Sequence, residues 1–341
     1  MVQRRIAIFM ANFWESVKAF QRGRVDLEQL ERLHREMLSE SVPDTPYLVM
    51  VITSCAIATF GLLSNSAAVI IGAMIIAPLM SPIRALAFGA LEGNILLVRR
   101  SATSVLLGTL LALAIAWLLG RVVGIASFGG EVLARSSPNL LDLGVAVAAG
   151  GVSGYAKINP KVSASLPGTA IAVALMPPVC VIGLGLSQGD WGLSLGATLL
   201  YVTNLLGITL SCMLTFLLAG YTPIEQAQKA LLWAFTFTGL LLVPLGLSFV
   251  QMVQQNQLEA TLKRALLTRT ATFQRVQLVD SDINWFTQPP EVRLTVRSQE
   301  PITPRQVELL EEFVSRELRR PMTLIFAVSQ VEEVRRKPYK P

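Results

Sequence analysis

Apolar positions along this chain gather into blocks rather than alternating. At the roughly 20 residues needed to cross a bilayer, seven blocks stand out: 47–63, 67–90, 103–119, 140–156, 166–186, 198–219 and 231–250. Ahead of them the pattern is different. Leu27, Leu30, Leu33 and Leu38 recur among acids and bases between Val25 and Glu40, which predicts an amphipathic helix. Phe9, Phe13, Val17 and Phe20 also recur at helical spacing, as in a segment lying along a membrane surface. Thr45-Pro46 and Ser137-Pro138 read as a cap with proline at the first helical position, and they start the first and fourth spans.

Beyond residue 250 the blocks end. Leu258, Leu262 and Leu266 mark a helix over 254–270, and strands are expected at 273–279 and 291–297. In the second of these Val292, Leu294 and Val296 alternate with polar residues. Thr303-Pro304-Arg305-Gln306 combines a capping box with proline, and opens a helix through Leu310, Val314 and Leu318. A strand over 322–329 completes an α-β-β-α-β order. Three parts result: an amphipathic N-terminal arm (1–46), a transmembrane domain (47–250) and a soluble tail (251–341).

The transmembrane blocks repeat. At an offset of 96 residues, Ala68, Gly72, Ile75, Leu79, Met80, Pro82, Gly89 and Gly93 meet Ala164, Gly168, Ile171, Leu175, Met176, Pro178, Gly185 and Gly189. The matching prolines and glycines are positional residues, so an internal duplication is expected. Each copy holds three spans, an odd number, so the second enters the bilayer from the opposite side. The expected fold is an all-α polytopic membrane domain of about seven spans, with a small C-terminal α+β soluble domain. Its core is two inverted three-helix repeats, near 47–125 and 140–220, with proline-broken helices and an extra span at 231–250. In secondary transporters, broken helices at corresponding places mark the solute site. Prolines also kink membrane helices for packing alone, and Pro244 in the last block has no counterpart.

Composition agrees with a membrane protein: 52% of residues are hydrophobic and 15% charged. The net charge of +6 is spread over loops and termini, which suits lipid headgroups rather than nucleic acid. Arg99, Arg100, Lys157, Lys161 and Lys229 follow even-numbered spans, against Arg121 and Arg135 after odd ones. The positive-inside rule then puts the N-terminus in the cytoplasm of a cell (inner) membrane. Lys263, Arg264 and Arg269 leave the side of the tail open.

Candidate chemistry is sparse. There is no HExxH, GxSxG or P-loop, and Glu92, Asp142 and Asp190 fall at span ends. Cys55, Cys180 and Cys212 sit in apolar blocks without metal-ligand spacing, as small buried thiols do. His34, the single histidine, is expected on a solvated face of the arm. No catalytic residue, metal site or cofactor is expected. Arg84 stands out because it follows the Ser81-Pro82 break inside span two. It either snorkels to the interface or makes a positive site for an anion. Asn65, Ser66, Asn159 and Ser165 are nearby polar candidates, while Asn204 and the glycines of spans four and five fit helix packing.

The stretch Gly72-Ala73-Met74-Ile75-Ile76-Ala77-Pro78-Leu79-Met80-Ser81-Pro82 resembles the hallmark of a prokaryotic membrane family, the domain of unknown function 389 or uncharacterised hydrophobic domain. Leu175-Met176-Pro177-Pro178 looks like that family's second conserved region. The resemblance covers roughly 45–220 and implies a bacterial or archaeal multi-pass protein without an established substrate. The repeat and its paired breaks, not the resemblance, give the expected function: a transporter or channel-like protein for a small solute, with a small anion as the candidate, working as a homo-oligomer in the bilayer. Pro78, Ser81, Pro82, Arg84, Thr169, Pro177 and Pro178 are the candidate substrate-binding residues. The alternative is a non-transporting scaffold or sensor acting through its tail.

Overall fold

The computed structural model describes residues 26–124, 127–159, 175–269, 276–284, 289, 291–298, 302–318 and 321–330. The N-terminal surface segment, Thr169, Ser165 and the first half of the fifth block lie outside these residues. The chain divides into two compact units, Met1–Phe249 and Val250–Pro341.

In the first unit the described helices are α1 (Leu27–Glu40), α2 (Thr45–Leu63), α3 (Ala67–Ile76), α4 (Met80–Glu92), α5 (Ile95–Val123), α6 (Gly130–Leu133), α7 (Leu140–Ile158), α8 (Met176–Gln188), α9 (Trp191–Leu218) and the start of α10 (Ile224–Arg269). Four of them are long and apolar enough to cross a membrane, or five when the bent pair α3–α4 counts as one span. The protein is a membrane protein on that ground. The expected seventh block lies in α10, as Ala227–Val250. Helix α7 has a span's length, but four glycines, Asp142 and Lys157 dilute its apolar character.

The break in the second block is at Ala77-Pro78-Leu79, where Ala77 is extended and the two helices bend by 53°. Pro82 does not break α4; it is the third residue of that helix. Pro177 and Pro178 likewise open α8 in its first turn. Backbone N–H groups there have no partner inside the helix, so proline costs little.

The 96-residue offset reappears in the local geometry. Helices α4 and α8 are each 13 residues long and end on left-handed glycines, Gly93 at φ 67° and Gly189 at φ 75°. The next residue, Asn94 or Asp190, then caps α5 or α9 by accepting from the N–H of Leu97 or Leu193. Contacts also fix helix directions. Tyr47 donates to the Ser104 carbonyl and the Cys55 thiol to that of Ala112, so α2 and α5 run parallel. Ser211 donates to the Val147 carbonyl and Cys212 to that of Gly150, so α7 and α9 are parallel too. Gly183 lies against Ala116, and Gly120 against Ser187 and Leu184, which makes α8 parallel to α5. Helix α4 folds back on α5 across the Gly93 turn, with Gly89 against Leu97, and is antiparallel to it.

Helix α10 continues unbroken through the junction where a separate tail helix was expected. Gln251, Met252 and Val253 carry no helix-stopping signal, so the two expected helices merge. In the second unit β1 (Val276–Asn284), β2 (Glu291–Ser298), α11 (Pro304–Leu318) and β3 (Thr323–Gln330) form a three-stranded sheet in the order β1-β2-β3. β1 and β2 are antiparallel, with a register shift between Leu278 and Asp280, and β3 is parallel to β2. The helix α11 makes the crossover that a parallel pair needs. The capping box forms as expected: Gln306 Oε1 accepts from the Thr303 N–H at 2.8 Å. Val292, Leu294, Val296, Leu310 and Val314 make this unit's own core. Residues 273–275 of the first expected strand lie outside the described residues; from Val276 β1 runs past the expected end at 279 through Asp280 and Asp282, because pairing with β2 outweighs the low strand preference of aspartate.

Candidate functional site

The arm helix α1 begins at Asp26, whose carboxylate accepts from the Leu27 N–H. Leu33 and Met37 bury its apolar stripe against the bundle. Docking of that stripe fixes the polar residues beside it. His34 is not on a solvated face: its Nδ1 lies 3.0 Å from Glu92 Oε2, and its Nε2 is 3.5 Å from Asn94 Nδ2. Glu36 and Glu40, one turn apart, face into the bundle.

Arg84 is the fifth residue of α4, and its side chain is 12% exposed. Its Nη2 donates to Glu40 Oε2 and Ser81 Oγ, each at 3.3 Å, and its Nη1 donates to Ser153 Oγ of α7 at 3.3 Å. Its buried Nε has no hydrogen-bond partner. Lys157, near the end of α7, donates to Glu40 Oε1 at 2.7 Å and lies 2.9 Å from Glu36 Oε2. Arg32 reaches the Glu36 carboxylate from one turn away at 3.0 Å. The result is one chain of charges, Arg32–Glu36–Lys157–Glu40–Arg84, with three cations against two carboxylates.

Burial pushes the Glu36 carboxyl up, but hydrogen bonds and charge from Lys157 and Arg32 outweigh it and hold the group below its ordinary 4.5. Burial, then the Glu36 charge, raises the nearby Tyr221 phenol. The cluster lies at one end of the bundle. Ser104 donates to the Ser41 carbonyl just after α1, and its own carbonyl accepts from Tyr47 near the start of α2. Glu40 is thus level with the beginning of the first span.

The candidate residues divide. Ser81 and Arg84 join the charge cluster, and Pro82 is buried beside them in α4. Pro78 is half-buried in the α3–α4 link. Pro177 and Pro178 are buried in the apolar core as the start of α8, and take no part in the polar contacts of Arg84. Sequence reasoning missed Glu36, Glu40 and Lys157 as partners of Arg84. Two glutamates four apart on an amphipathic arm were the available signal, because a half-buried arginine calls for an acid.

The span-end acids turn out to be structural. Asp142 completes a capping box with Asn139, Asp190 caps α9, and Glu92 holds His34. The cysteines are buried and free, with Cys55 Sγ 3.6 Å from Cys180 Sγ. Among the described residues no group of three His, Cys, Asp or Glu is arranged to hold a metal ion. What the cluster itself offers is recognition of charge: a guanidinium and an ammonium from two helices grip one carboxylate, as they could grip another oxyanion.

Comparison with known proteins adds a family. The chain is 28% identical over 217 residues to an uncharacterized protein of Methanocaldococcus jannaschii, an alignment covering 61% of this chain and 68% of the relative. No solved structure matches the chain. Residues 74–210, which run from the last turn of α3 into α9, match the model of the family described as a domain of unknown function (DUF389).

Proposed function

We propose that the protein is a transporter or channel-like protein for a small anion, built on two inverted repeats. Helix directions support the inversion: α4 opposes α5 while its counterpart α8 runs with it. The observation that carries the anion is the grip of Arg84 and Lys157, one from each copy, on the Glu40 carboxylate. An anion entering from the arm end meets this pair before the deeper break at Pro78, with Ser81 and Ser153 as further donors. Pro82 stiffens the first turn below Arg84. Pro177 and Pro178 open α8, the second copy's counterpart of α4, and Thr169, the remaining candidate, lies outside the described residues. Arg99, Arg100, Lys157 and Lys229 gather near the arm end, and Arg121 and Arg135 near the other, which favours a cytoplasmic arm.

Sealed vesicles carrying the purified chain test this reading. Flux of chloride, nitrate or phosphate is expected above that of empty vesicles. Arg84→Gln is expected to cut it at least tenfold while the variant stays monodisperse. Empty-vesicle rates for every anion tried, with folded protein present, would end the proposal. The compact α+β unit with its own core favours a second reading, a scaffold or sensor that recruits partners. Deleting residues 270–341 would then abolish the cellular effect of a chain that moves no solute.

A further inference from the structure

The first turns of α5 carry a feature that the proposed anion route does not use. A cavity of about 450 Å³ opens beside them, lined by Val42, Pro43, Leu96, Arg99, Arg100 and Thr103. Arg99 and Arg100 are both exposed, and neither forms an ion pair among the described residues. Helix α5 has 29 residues, so it is about 43 Å long at 1.5 Å per residue. The hydrocarbon layer is only about 30 Å thick. Arg121, in the last turn, marks the other end of the apolar stretch. Counting back from it by that thickness ends near residue 101, which leaves Arg99 and Arg100 at headgroup depth.

Below the arginines the same face of the helix is greasy. Leu96, Arg100, Thr103, Leu107 and Leu110 follow one another at intervals of four and three, so they share one stripe. Leu96, Leu107 and Leu110 are 55%, 41% and 54% exposed. Two guanidiniums with no ion pair among the described residues thus stand above an apolar strip made by Leu107 and Leu110, with Val42 and Pro43 as a second wall.

The geometry points to a binding site for one anionic phospholipid. Its phosphate is held by Arg99 and Arg100, with the Thr103 hydroxyl within the same cavity, and an acyl chain lies along Leu107 and Leu110. Arginine suits this ligand because its planar fork matches two phosphate oxygens at once. The apolar strip selects a lipid over a soluble phosphate, which would leave the strip uncovered.

The test uses the full chain in nanodiscs of mixed phosphatidylcholine and phosphatidylglycerol, with the lipid that remains bound on release read by native mass spectrometry. Wild type is expected to retain phosphatidylglycerol in preference. Arg99→Gln and Arg100→Gln should each reduce that preference about fivefold, from the ~1 kcal/mol that a basic residue contributes near an anionic surface. Thr103→Trp, which fills the cavity without changing charge, should reduce it as well. Lys229→Gln removes an exposed cation elsewhere and should leave the preference intact. Wild-type retention in the arginine variants overturns the site, as does an equal loss in Lys229→Gln. Competition by soluble glycerol phosphate at the concentration of the lipid would show an anion site rather than a lipid site. None of these outcomes depends on solute flux.

Discussion

Arg84 shows how a single residue's meaning depends on what is packed against it. A guanidinium in an apolar helix needs a counter-charge, and Glu40 supplies it from the arm. Removing that carboxylate leaves Arg84 and Lys157 facing each other without it. Glu40→Gln should therefore destabilise the protein by about 1–3 kcal/mol, the cost of stranding buried polar groups, measured as a lower melting temperature in detergent. Glu36 predicts a pH effect. Its carboxyl is held below 4.5 in the folded chain, so its contribution to arm docking is complete above 4.5. That contribution is lost as pH falls through the lower folded value. The anisotropy of a dye on Glu28→Cys, an exposed position, should drop over that interval, and in Lys157→Met the drop should begin at higher pH.

At the scale of helices, close approach is set by glycine at particular places. A Cβ on Gly150 would stand 2.5 Å from the Ile208 carbonyl oxygen, and one on Gly183 would stand 2.7 Å from the Leu113 carbonyl oxygen. Backbone cannot move aside as a side chain can. Gly150→Ala and Gly183→Ala should each cost about 1–3 kcal/mol through overpacking. Gly144 has nothing within 4 Å of such an atom. Gly144→Ala should instead stabilise α7 by about 0.5–1 kcal/mol from helix propensity. Equal melting temperatures for all three variants would mean that α7–α9 and α5–α8 are not packed as described.

For the molecule as a whole the directions of the helices matter most. Helix α5 leads away from the arm end and α9 returns to it, so Arg121 and Lys229 belong on opposite faces of the membrane. Single cysteines at these two positions should react with a membrane-impermeant maleimide from opposite sides of oriented vesicles. The three native thiols are buried and give little background. Labelling of both from one side would remove the inverted arrangement, and with it the structural basis of the transport reading.

Much of this architecture was legible in one dimension. Block length announced apolar helices, of which four or five are long enough to span, and Thr303-Pro304 announced the start of α11, while the offset that paired Gly93 with Gly189 reappears as two left-handed helix ends. These features are local: a few neighbouring residues satisfy their own backbone or match the thickness of the lipid. The merger of α10 also has a local cause, but it is decided by the absence of any stop signal, which is harder to read than its presence. The partners of Arg84 were not legible. Glu40 lies 44 residues before it and Ser153 lies 69 after it, and no spacing rule connects such distances. Only the docking of the arm's apolar stripe onto the bundle brings those charges together. Likewise, three of the marked prolines became ordinary first-turn residues once the helix starts were fixed. The sequence determined which segments are helical and apolar; tertiary packing decided which charges meet, because charge pairing across a fold depends on where hydrophobic burial puts the helices.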